Sequence, residues 1–182
     1  MRRKVFQILV IGLAVALFAG PARAQVTQTS LLVAGRTIGF IENLKPGEVQ
    51  VAIVYDPGVA QSAQQADELR TMMGSGLRIG NFVLKPVMTP VAKLASGGAG
   101  GDRRNSLYFL TEGVGAAAAN VGRASRARKV ACITFDLEQV RNGTCALGVR
   151  SQPKIEVYVN RAAAQASGTE LAAVFRMMIT EI

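Results

Sequence analysis

The sequence predicts an α/β fold, a mostly parallel sheet flanked by helices, with a C-terminal antiparallel β-hairpin and a final helix. Three observations carry that expectation. Residues 49–55 (VQVAIVY) form a nearly continuous, β-branched apolar run, the mark of a strand covered on both faces. Extended and helical segments then alternate as strand, helix, strand, helix, strand, helix, strand, the order of a parallel sheet with crossover helices. Near the end, Arg150-Ser151-Gln152-Pro153 joins two extended runs through a link too short for anything but an antiparallel hairpin.

The elements follow in order. Residues 25–43 read as a helix, because Leu31, Ala34, Ile38 and Ile41 recur at spacings of three, four and three and make one apolar stripe. Lys45-Pro46-Gly47 ends it. After the first strand, Asp56-Pro57 reads as an N-cap with proline at the first helical position. The helix that follows places Ala66, Leu69 and Met73 on one side, and Gly74-Ser75-Gly76 closes it. Residues 77–87 read as a second extended segment bounded by Pro86 and Pro90, and residues 91–95 as a short helix. Gly97-Gly98-Ala99-Gly100-Gly101 is expected to be a loop. A third strand spans residues 106–110 (SLYFL), an alanine-rich helix residues 114–127, and a fourth strand residues 129–135 (KVACITF). Residues 144–149 and 154–159 are the hairpin strands, followed by a short helix over 160–166. Ser167-Gly168-Thr169-Glu170 reads as a break and a capping box for the last helix, whose stripe is Leu171, Val174, Phe175 and Met178.

The N-terminus is read as a cleaved signal peptide over residues 1–24, which leaves a single domain over residues 25–182. Arg2, Arg3 and Lys4 precede an apolar run over residues 5–19, and Ala22-Arg23-Ala24 has the small-residue pattern of a cleavage site. The apolar run is short for a membrane anchor. Arg2-Arg3 is similar to a twin-arginine signal, but the strongly apolar run fits the general secretion route better. No Cys follows the cleavage site, which argues against a lipoprotein. The expected location is the periplasm.

Formal net charge is +9, from 21 basic and 12 acidic residues, and four of the basic residues lie in the leader. The remaining excess sits in runs without interleaved aromatics, so no nucleic-acid partner is expected and the charge reads as solvated surface. Two cysteines, Cys132 and Cys145, remain in an oxidising compartment. They read either as a structural disulfide, with a loop worth about 3 kcal/mol, or as two buried thiols on different sides of a sheet.

Chemistry is sparse. Histidine is absent, which removes the usual general base and the commonest metal ligand. The glycine loop runs into Asp102-Arg103 where a phosphate-binding loop needs Lys and Ser or Thr. No cofactor, no metal and no catalytic residue is expected. Asp56, Asp102, Glu112, Asp136 and Glu138 fall near predicted strand ends or loops, where α/β proteins build sites and also where ordinary caps and surface acids lie. Tyr55, Asp56, Thr111, Glu112 and Asp136 are therefore the candidate crevice for a ligand or a partner.

From Lys129 to Met178 the chain resembles the C-terminal half of the YfiR-like periplasmic proteins. The likeness rests on Ile133-Thr134-Phe135, Asn142-Gly143, the run from Ile155 to Asn160, Ala162 to Ala164, Gly168 and Leu171. The earlier VQVAIVYDPGVAQSAQQADEL and SLYFLTEGVG segments fit its core strands loosely. The Trp-Pro that the family carries after its first helix is missing, and the family's late cysteine pair is closer in sequence than Cys132 and Cys145. The resemblance implies a non-catalytic regulator that binds and restrains the periplasmic part of an inner-membrane signalling protein, a diguanylate cyclase or a histidine kinase, with homodimerisation left open. A rival reading starts from VAIVYDPGVAQSAQQADEL, which also looks like the opening of one lobe of an ABC-type substrate-binding protein. That reading implies a single-lobe ligand-binding or ligand-sensing protein.

Overall fold

A computed structural model describes residues 26–95 and 106–182. The expected signal peptide and the glycine loop at 97–101 lie outside the described residues. The elements are α1 (Gln28–Ile38), β1 (Gly47–Tyr55), α2 (Ala60–Met73), β2 (Leu77–Ile79), β3 (Phe82–Pro90), α3 (Val91–Ala95), β4 (Ser106–Leu110), α4 (Ala118–Arg128) and β5 (Ala131–Thr134). They continue as α5 (Leu137–Arg141), β6 (Leu147–Arg150), β7 (Glu156–Val159), α6 (Arg161–Ser167), α7 (Ala173–Arg176) and β8 (Thr180–Glu181).

One eight-stranded sheet runs in the order β2-β3-β1-β4-β5-β6-β7-β8. The run β3-β1-β4-β5-β6 is parallel throughout, and β6 pairs with β7 antiparallel through Leu147 with Val159 and Arg150 with Glu156. The predicted α/β class and its hairpin are both present. The strand β1 sits at the centre because its residues pack on two sides. Val49, Val51 and Ile53 face one apolar layer with α1 and α2, while Ala52 and Val54 face a second with α3 and α4. That two-residue alternation is the strand period, and both faces are apolar because both are covered.

The helix stripes read from sequence hold. Leu31, Ala34 and Ile38 are buried on α1, as are Ala66, Leu69 and Met73 on α2; Ile41 is buried too, but past the end of α1, on a bridge to Leu171. At the far side, Gly148 on β6 lies under α5; a Cβ there would stand 2.5 Å from Val140 Cγ2, so only glycine admits the helix this close. Cys132 on β5 and Cys145 just before β6 are both fully buried and joined in a disulfide, with Cα atoms 4.7 Å apart. The bridge closes the crossover that carries α5. On the hairpin, Glu156 accepts from Lys154, Tyr158 and Arg150, and these bonds, Lys154 first, hold its carboxyl down at about 2.

Four local expectations are corrected. Residues 77–87 are two strands, folded back at Gly80 (φ +56°) so that Leu77 pairs with Leu84. The strand β3 then runs through Pro86 to Pro90, since β2 pairs only as far as Leu84 and the missing N–H groups fall where no outer strand needs them. The Asp56-Pro57 cap is the third: Asp56 Oδ1 accepts from the Gly58 N–H, and α2 starts four residues later after Val59. The fourth is the final helix, which is present but only one turn long. Leu171 is spent on a bridge to Ile41, the Ala172 N–H bonds Phe40, and the Ser167 hydroxyl donates back to the Ala163 and Ala164 carbonyls, so no capping box forms over Ser167–Glu170. Leu171 and Phe175 are buried, Phe175 stacked on Phe40 at 4.4 Å, but Val174 and Met178 are 55% and 68% exposed. Residues 180–181 instead add to β7 as a parallel strand.

Replacing both cysteines by serine should cost about 3 kcal/mol for a loop of this size, read as a fall of roughly 6–12 °C in Tm. Thiol labelling of the denatured, unreduced protein should find no reactive cysteine. Two labelled thiols per chain would contradict the bridge.

Candidate functional site

Topology selects the place. From β1 the chain crosses to β3 on one side, and β4 then returns to the other side of β1. Between β1 and β4 the winding reverses, and in open α/β sheets the crevice outside the carboxyl ends of such strands is where ligands bind. Tyr55 and Asp56 leave β1 there, Thr111 and Glu112 leave β4, and Asp136 leaves β5 one strand further on. Sequence reading thus named residues on three neighbouring strand ends, and the fold brings them to one edge.

Hydrogen bonds that the sequence did not foretell organise this edge. The Asp56 N–H donates to Ser62 Oγ at 2.8 Å, and Ser62 Oγ lies 2.7 Å from Thr111 Oγ1. Thr111 Oγ1 donates to the Val54 carbonyl at 3.1 Å. A hydroxyl has one proton, so Thr111 accepts from Ser62 and the relay runs one way, from the Asp56 amide to the Val54 carbonyl. A second relay approaches from β5. The Asp136 N–H donates to Thr134 Oγ1 (3.0 Å), Thr134 donates to Gln139 Oε1 (2.6 Å), and Gln139 Nε2 donates to the Thr111 carbonyl (2.9 Å). Ser62, Thr111, Thr134 and Gln139 are all buried. The two relays meet at Thr111, one passing through its hydroxyl to Val54 and one ending on its carbonyl, and each leaves an aspartate side chain outside, where Asp56 and Asp136 cap the amides of Gly58 and Glu138.

Glu112 follows Thr111 at this edge, beside the start of α2. Its amide donates to Gln65 Oε1 at 2.7 Å, and its Oε2 accepts from Gln61 Nε2 at 3.2 Å. Its other oxygen, Oε1, is buried with no partner among the described residues. Burial raises the carboxyl above its ordinary value, with Asp136 adding to the rise and the Gln65 and Gln61 amides opposing it. Gly113 follows with φ +75°, and a Cβ there would press on Val59 Cγ1 at 3.3 Å, so the turn needs glycine to bring the α2 start beside Glu112. Tyr55 is half-buried and makes no side-chain hydrogen bond within the described residues.

Gln61, Ser62, Gln65, Thr134 and Gln139 escaped sequence reading. A signal existed: Ser62 and Gln65 lie three or four residues apart on the same stripe as Ala66, Leu69 and Met73. Polar residues on a core-facing stripe must find partners inside. Among the described residues no group of three or more His, Cys, Asp or Glu could hold a metal ion.

No protein-family model matches the chain, and no curated protein matches it by sequence. In fold it is similar to the crystal structure of a conserved domain protein from Vibrio cholerae O1 biovar El Tor. That match has a TM-score of 0.59 and 14% identity, over 83% of this chain and 59% of the other. A weaker match is the ligand-free, open structure of a substrate binding protein with adhesive properties from Clostridium difficile, with a TM-score of 0.47 and 14% identity. It covers 81% of this chain and 57% of that protein. The chain therefore spans just under three fifths of either structure, and the likeness is one of fold.

Glu112 with a raised pKa destabilises the fold once ionised, so its penalty is absent in acid and present at neutral pH. Glu112→Gln should raise Tm slightly at pH 7, by about 1–2 °C for a domain of this size. At pH 3.5 the gain should vanish. An equal gain at both pH values, or a loss at pH 7, would contradict the assignment.

Proposed function

We propose that the chain is a non-catalytic ligand-sensing domain of an exported protein, taking a small polar molecule at the carboxyl edge of its sheet. The observation that carries this reading is the buried, unpartnered Oε1 of Glu112 at the point where the winding reverses. A buried acceptor without a partner costs free energy, and a ligand hydroxyl or ammonium would supply the missing donor. The surroundings favour binding over reaction. Ser62 and Thr111 donate inward, Asp56 and Asp136 cap turns, and neither buried hydroxyl, Ser62 or Thr111, has a base beside it.

Export is supported by the leader-like residues 1–24 and by the Cys132–Cys145 bridge, which fits an oxidising compartment such as the periplasm. Among the described residues no helix is long and apolar enough to cross a membrane.

A regulatory role is the second reading, supported by the YfiR-like pattern from Lys129 to Met178 and by exposed apolar side chains at Val174, Met177 and Met178. Such surfaces serve protein contacts, here with the periplasmic part of an inner-membrane diguanylate cyclase or histidine kinase. The two readings meet if crevice occupancy sets the grip on that partner.

Native mass spectrometry of protein taken from the periplasm should show a small-molecule adduct that Glu112→Gln loses. In a deletion strain, cyclase or kinase output should rise, and the domain over residues 25–182, supplied to the periplasm, should lower it. No adduct, or one indifferent to Glu112→Gln, would overturn the sensing role. Lost uptake of a small solute with signalling unchanged would place the domain in transport.

A further inference from the structure

At the opposite edge of the sheet lies a cavity of about 420 Å³ between α6, α7 and β8. The strand β7 runs against its parallel neighbours, so its carboxyl end, with the start of α6, faces away from Glu112. The cavity floor is apolar: Val159, Ala164 and Leu171 are buried and Ile179 is half-buried. Its rim carries two arginines, Arg161 and Arg176, and two glutamates, Glu170 and Glu181. Gln165 and Thr169 add uncharged polar groups to the lining, and such a volume lies within the range of small-molecule sites.

Charge balance narrows the ligand class. Arg161 and Glu181 already pair with each other at 3.4 Å. Arg176 and Glu170 make no side-chain hydrogen bond or ion pair among the described residues, leaving one cation and one anion on the rim without a partner. An anion would satisfy the first and be repelled by the second, and a cation would do the reverse. A molecule carrying one charge of each sign, with an apolar tail for the floor, satisfies both. We infer that this cavity binds a zwitterionic small molecule of the amino-acid type, its carboxylate toward Arg176, its ammonium toward Glu170 and its apolar side chain on Val159, Ala164, Leu171 and Ile179. The site is separate from the carboxyl-edge crevice and does not depend on it.

The probes are L-leucine, which has both charges, N-acetyl-L-leucine, which lacks the cation, and L-leucinamide, which lacks the anion. Amide NMR of the protein over residues 25–182 should show saturable shifts with leucine at Gln165, Thr169 and Ile179. Each singly charged analogue should bind about two- to fivefold more weakly, the worth of one exposed ion pair. Arg176→Gln and Glu170→Gln, both at exposed positions, should each weaken leucine by a similar factor with Tm unchanged. Glu112→Gln should leave leucine binding as it is. Absence of saturable shifts at these amides, equal binding of all three probes, or loss of binding in Glu112→Gln with none in Arg176→Gln would overturn the assignment.

Discussion

Thr111 is the residue on which the carboxyl edge depends. Its amide and its hydroxyl both bond the Val54 carbonyl, at 3.0 and 3.1 Å, and its own carbonyl accepts from Gln139. Three strand ends and two helices are therefore tied through one buried residue, its hydroxyl reaching Ser62 and Val54 and its backbone carbonyl reaching Gln139. Each bond on its own contributes about 1 kcal/mol net, but an orphaned member would cost more than that. A buried polar network is all-or-nothing in this sense. Completing it fixes the backbone at Asp56, Glu112 and Asp136 together, which is what a preformed binding crevice requires.

The network also explains what was legible in the sequence. The central strand was readable because residues 49–55 are apolar on both faces, and the α1 and α2 stripes because their spacing follows the helical period. The hairpin was readable because four residues permit little else. The edge residues Tyr55, Asp56, Thr111, Glu112 and Asp136 followed from strand ends alone. Tertiary partners then overrode the local signals. Asp56-Pro57 has the chemistry of a helix cap, yet the Asp56 amide is taken by Ser62 and its carboxylate by Gly58, so the helix begins later and the loop remains open. The terminal stripe has the right period, but Leu171 and Ala172 are claimed by the exit of α1 before a helix can form. Gln139 was unreadable because its role depends on Thr111, 28 residues away.

The two ends of the sheet differ in construction. At the carboxyl edge, polar groups are buried and tied to one another, with one carboxyl oxygen of Glu112 left over. At the opposite edge, apolar residues are covered and charges stand on the rim. The first arrangement suits selective recognition through hydrogen bonds, since an unmatched ligand would leave buried groups unpaired. The second suits looser binding governed by charge and apolar contact. One short fold thus offers two unlike surfaces, and the antiparallel turn of β7 is what separates them, because it moves the last strand's carboxyl end to the far side.

Thr111 holds the edge around Glu112 in place before any ligand arrives. Amide hydrogen exchange of the ligand-free protein tests it most directly, since loops that open locally exchange far faster than core strands. The amides of Asp56, Thr111, Glu112 and Asp136 should exchange as slowly as those of Val51 and Ile53 on β1. Thr111→Val should speed all four together. Exchange of these four amides at the rate of an exposed turn in the wild-type protein would contradict it.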